Sequence, residues 1–206
     1  MSDFTDDIAP LVTAVRLVRL RDRVKGTTKL DFGSWLGPME GAERDVRTLA
    51  DSLVNRRRES RGRRKAPESE SIRYRLVFFE RDFSLWRGIF EDEATIIAKF
   101  LSLLADLRLN VSPELEELKS LNQRNDYALH RVEAFTKRLR AIADGDMTGT
   151  FEDDFPIYRE LLSIADSLQE LKARVDEKAD DAVRLVGLMS SGVDSQSLMD
   201  LMTGEP

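Results

Sequence analysis

The chain has 206 residues, 41% hydrophobic and 34% charged, with a formal net charge of −6; that suffices for one sizeable core or two small ones and excludes a disordered chain. Cysteine is absent, which excludes disulfides and thiolate metal sites. With an N-terminus that opens on Asp3, Asp6 and Asp7 instead of a basic and apolar leader, a reducing, cytoplasmic setting is expected, and with no apolar run near 18 residues no membrane span is expected.

Charge is unevenly placed. Residues 113–190 hold 17 acids against 11 bases, and the remainder holds 21 of each. The acidity of the later region argues against its helices lying on a phosphate backbone.

From Thr5 to Lys25, Ile8, Leu11, Val12, Val15, Val18 and Val24 recur at helical spacing, with Leu17 and Leu20 broadening the stripe, acids at the start, bases at the end and Gly26 as a terminator. A buried bundle helix and a basic helix lying on a membrane surface share this pattern; the absence of aromatics favours the first. Gly33 to Pro38 reads as a turn that carries Trp35 into the core. Met39, Ala42, Val46, Leu49 and Leu53 then give a second helix with a narrow seam.

Arg56, Arg57, Arg58, Arg61, Arg63, Arg64 and Lys65 form a basic cluster that runs into Pro67. Residues 56–71 are expected to be a linker or loop between N-terminal helices (1–55) and a helical bundle (72–190). The cluster is the candidate phosphate-binding site, since guanidinium groups present planar donors to phosphate. A solvated charge run is the plainer reading, because no aromatics are interleaved and no reading helix is recognisable.

Ile72, Leu76, Phe79, Phe83, Trp86, Phe90, Ile97, Phe100, Leu104 and Leu107 keep steps of three, four or seven, which predicts a helix with a break near Ser84 to Gly88. The apolar concentration from Ile96 to Leu107 is the expected centre of the core or of an oligomer contact.

Ser112, Pro113 and Glu114 make a helix start of hydroxyl cap, tolerated proline and first-turn acid. Beyond it, Leu118, Leu121, Asn125, Ala128, Val132, Phe135, Leu139 and Ile142 form a heptad seam with one polar member. Asn125 either fixes register against a partner or points to solvent. A second seam follows at Leu161, Ile164, Leu168, Leu171, Val175, Lys178, Ala182, Leu185 and Met189. Solvent cannot satisfy seams of this length, so they pair with each other, with the earlier helices or with a second chain.

The joining loop, residues 144–156, carries five acids and no base. Asp144, Asp146, Thr148, Gly149 and Glu152 match positions of a calcium loop, yet Phe155 stands where the closing bidentate Glu belongs, so no metal site is assigned. Residues 135–175, FTKRLRAIADGDMTGTFEDDFPIYRELLSIADSLQELKARV, resemble a HAMP linker: a first amphipathic helix ending at Ala143, Gly145 and Asp146 opening a connector, and Glu160 and Leu161 opening a second heptad helix. The resemblance implies a parallel four-helix bundle of two chains and a signal-relay role. That family usually adjoins a membrane-spanning helix, which is not seen here. The plainer reading, and the preferred one, is an antiparallel hairpin with a long acidic loop.

In the tail (191–206), Ser190 to Ser195 resembles the SGGxDS phosphate loop of ATP pyrophosphatases. Ser191 replaces a glycine, and only 11 residues follow Ser195, too few for the sheet that would hold a nucleotide. Leu198, Met199, Leu201 and Met202 read as a short amphipathic segment. With a single histidine, His130, away from the seam, no catalytic residues and no cofactor are assigned.

The sequence therefore predicts an all-α protein of five or six helices in a bundle, with a long coiled-coil-like helical pair. The expected function is that of a non-enzymatic adaptor or assembly subunit. It would form a homodimer or join a larger complex through Leu118, Leu121, Asn125, Val132, Phe135 and Leu139 on one helix and Leu161, Ile164, Leu168, Leu171 and Val175 on the next. The alternative is a nucleic-acid-binding accessory protein using Arg56 to Lys65; a HAMP-like or calcium-dependent relay is third.

Overall fold

Apolar residues at helical spacing dominate the chain, and helices follow wherever they do: α1 (Asp3–Lys25), α2 (Phe32–Glu59), α3 (Pro67–Asp106), α4 (Ser112–Asp144) and α5 (Ile157–Ser190). This computed structural model describes residues 3–25, 32–59, 67–146 and 155–190, with side chains for 10–24, 32–55, 69–146 and 155–188. Among the described residues there is no strand. The protein is all-α.

The chain packs as two compact units, and neither follows chain order. Unit 1 draws on Met1–Leu30, Glu93–Lys119 and Leu168–Pro206; unit 2 draws on Asp31–Asp92 and Ser120–Ser167. The block expected over 72–190 is thus divided between both, because α3, α4 and α5 each contribute a stretch to either unit.

In unit 1, α4 and α5 run antiparallel: Glu114 pairs with Lys178 at 2.7 Å, and Glu117, one turn on, pairs with Arg174, one turn back. Arg21 of α1 reaches Asp180 of α5 at 2.7 Å, and Lys172 of α5 reaches Glu93 of α3. Ile97, Phe100, Leu101 and Leu104 are fully buried, so the apolar concentration expected at the core lies there. On α1 the buried residues are Ala14 and Leu17, while Leu11, Val12 and Val15 are exposed. Of the stripe expected on this helix, Leu17 is buried as expected, while the side that carries Leu11, Val12 and Val15 is not.

In unit 2 the helices alternate direction. Arg87 pairs with Glu133 and Arg73 with Asp144, which sets α3 antiparallel to α4. Arg124 pairs with Glu160, while Tyr127, one turn on, meets the Phe155 ring at 5.5 Å, which sets α4 antiparallel to α5. The hairpin reading of the two central helices is the arrangement observed, with the connector residues 147–154 outside the described residues. The core is aromatic: Phe79, Phe83, Phe135 and Tyr158 touch one another in one cluster, and Trp86 meets Phe32 at 5.7 Å and Phe90 at 5.9 Å.

Two local expectations are corrected. Residues 33–38 are helical, because Phe32 and Leu36, four apart, are buried on the face that continues at Val46, and this burial carries α2 past Pro38. No break interrupts α3 near Gly88: Trp86 and Phe90 are buried on either side, and the glycine sits on the exposed face. α4 starts at Ser112 with Glu114 in its first turn, as expected, and Asn110 Oδ1 accepts the Ser112 N–H at 3.2 Å from two residues upstream.

Candidate interaction surface

Every residue of the predicted interaction seam is buried inside this chain: Leu118, Leu121, Asn125, Val132, Phe135 and Leu139 on α4, and Leu161, Ile164, Leu168, Leu171 and Val175 on α5. The seams satisfy one another and the earlier helices, so they are core and offer no surface to a partner. Asn125 neither faces solvent nor sets register against another chain. Its Oδ1 accepts the Trp86 indole N–H at 2.8 Å, satisfying both buried polar groups at once. The other polar seam member, Lys178, binds Glu114 and the Asn110 carbonyl, the latter at 3.0 Å.

The basic cluster is only partly described. Arg56, Arg57 and Arg58 lie on the last turns of α2, which extends the helix to Glu59 into the expected linker. Arg61, Arg63, Arg64 and Lys65 lie outside the described residues, as do Thr148, Gly149 and Glu152 of the calcium-like loop and residues 191–206. The two remaining loop acids are occupied by arginines: Asp144 by Arg73 at 2.6 Å and Asp146 by Arg138 at 3.9 Å. Among the described residues no three His, Asp or Glu side chains converge to hold a metal. No helix there is long and apolar enough to cross a membrane. His130 is exposed, its Nδ1 2.7 Å from the Asp126 carbonyl oxygen.

The surface that sequence reasoning missed is the outer face of α3 in unit 2. Over residues 72–90 this helix is apolar on two sides. Ile72, Leu76, Phe79, Phe83, Trp86 and Phe90 point inward and are buried; opposite them Tyr74 is 67% exposed, Val77 65%, Leu85 50% and Phe78 38%. The signal was present in the sequence. Tyr74, Val77, Phe78, Arg81, Leu85 and Gly88 also keep helical steps, but a second stripe beside a stronger one is easily absorbed into it.

This outer face is ordered from within. The rings of Tyr74 and Phe78 meet edge-on at 4.9 Å, and the Arg81 guanidinium lies 5.2 Å from the centre of the Phe78 ring. Arg81 is held there by Asp82, whose Oδ1 accepts from its Nη2 at 3.1 Å. Asp82 is 2% exposed, so the one cation on the stripe is matched by a carboxylate beneath it. On the α4 side, ion pairs of α3 residues Arg73, Glu80 and Arg87 with Asp144, Arg140 and Glu133 brace the helix. No heavy atom lies within 4 Å of where a Gly88 Cβ would sit.

Under this helix lies a buried polar group. Glu43 of α2 accepts the backbone N–H groups of Ile157 and Tyr158 at 3.3 and 3.1 Å, and it binds Arg47, which also donates to the Phe155 carbonyl at 2.8 Å. A side chain from α2 thus caps α5, where the chain itself places only Pro156. Burial, then the charges of Asp82 and Glu43, push the Tyr158 hydroxyl far above the usual phenol range. It stays protonated and has no hydrogen-bond partner.

The architecture defines an all-α protein of the helical-bundle class. Comparison of the chain with protein families, curated proteins and solved structures finds no match.

Proposed function

We propose that this chain is a non-catalytic helical assembly subunit that binds a protein partner through the outer face of α3. One observation carries the reading: over residues 72–90, α3 is apolar on both sides, and among the described residues only one side is covered. A helix apolar all round belongs in an interior. Four large apolar side chains over three turns form a patch of a few hundred Å², the size at which exposed patches on monomers are commonly interaction sites, roughly 300–600 Å².

The antiparallel hairpin favours this reading over the relay role implied by the HAMP-like resemblance, because a relay bundle needs two parallel helices from each chain. The proposal is tested by comparing wild type with the double variant Val77→Asp, Leu85→Asp in extract of the native host. Both sites are exposed, so the variant should melt with the wild type. Wild type is expected in a particle larger than the 23.5 kDa chain, and the variant as the free chain. Equal size for both contradicts the proposal.

A further inference from the structure

We infer that the partner of this face is a second copy of the chain, its α3 laid antiparallel on the first about Arg81; this rests on the reading of α3 as an interaction surface given above. In an antiparallel pair centred on residue 81, positions equally far before and after it meet. Tyr74 then faces Gly88 of the other copy, and Val77 faces Leu85. Each contact sets a larger side chain against a smaller or comparable one, and the most exposed ring meets the position with open space. A parallel pair would instead stack Tyr74 on Tyr74 and leave two glycines facing a void.

Charge agrees with shape. Arg81 sits on the axis, but each copy brings Asp82 bound to it and the Phe78 ring under it, so the two guanidinium groups enter already compensated. Arg73 and Glu91 lie 18 residues apart, five turns at about 3.6 residues per turn, and therefore on one flank. Antiparallel pairing brings Arg73 of each copy to within two residues, about 3 Å along the axis, of Glu91 of the other, twice by symmetry. The cost falls at the rims, where Glu70 meets Asp92; both are exposed, where water and salt screen them.

The chain lacks cysteine, so engineered thiols report without background. Val77→Cys and Leu85→Cys chains are purified separately, then mixed and mildly oxidised. The mixture is expected to form a disulfide-linked dimer and neither alone, because identical thiols would be about 12 Å apart along the axis, 8 residues at about 1.5 Å, against the roughly 4.4–6.8 Å between Cα atoms that a disulfide spans. Independently, Asp92→Lys faces Glu70 of the other copy and is expected to lower the dissociation constant severalfold. A dimer from Val77→Cys alone, or weakening by Asp92→Lys, overturns the antiparallel register. A purified chain that stays at 23.5 kDa with no crosslink overturns the second copy as partner. The size difference between wild type and the aspartate variant in host extract then judges the wider reading separately.

Discussion

Two buried polar side chains make opposite demands on stability. Glu114 is buried, and burial alone would raise its carboxyl. The hydrogen bond from Lys178, its own backbone N–H and the charges of Lys178 and Arg174 outweigh that and hold it below the usual range. A carboxyl depressed on folding contributes stability that is present above its unfolded pKa and lost as pH falls through the folded one. Lys178→Met removes the compensation and leaves a buried carboxylate. The expected loss is about 1–3 kcal/mol at neutral pH, or about 2–4 °C per kcal/mol in a chain this size. The deficit should shrink as pH falls and Glu114 takes up its proton; a pH series of melting curves for both proteins checks it. Tyr158 runs the other way. Its buried hydroxyl has no partner, so Tyr158→Phe removes an unsatisfied donor while keeping the ring contacts with Phe79 and Phe83. The variant should melt higher by a few degrees, and a lower melting temperature would contradict this account of the site.

Helix ends show which local rules the elements obey. Beyond α3 the chain closes with the Leu109 N–H on the Leu104 carbonyl and the Arg108 N–H on the Ala105 carbonyl, which forces Arg108 to φ 63°. After α4 the same pattern recurs with Gly145 at φ 106°. Only the second end has the residue the backbone wants. Arg108→Gly should therefore raise stability by about 0.5–1 kcal/mol, as measured by urea unfolding, and no gain would show that Arg108 makes a compensating contact. The glycine end was readable from sequence; the arginine end was not, because nothing in an Arg side chain announces a left-handed residue. The start of α5 was hidden for a different reason. Its cap is Glu43, more than a hundred residues earlier, and Pro156 before the helix was the only hint that a local cap was missing. Along α3 the outer stripe was obscured by the inner one, since both share the same helical period.

At the scale of the whole chain, periodicity disclosed all five helices and the members of the central seams. Pairing was not disclosed. A heptad seam looks the same whether it packs on its own chain, on the preceding helices or on another copy, and here Leu118 to Val175 is consumed internally. Unit membership was equally hidden, because α3, α4 and α5 each divide between two units at points where the sequence pattern does not change. Among the described residues nothing covers the α3 outer face over residues 72–90, and the assembly proposal stands on it. Sedimentation equilibrium of the purified chain over a concentration series tests most directly its self-association through that face. The account predicts that the wild-type mass rises from 23.5 kDa toward twice that value while Val77→Asp, Leu85→Asp stays at the monomer mass; the same mass for both proteins at every concentration would contradict it.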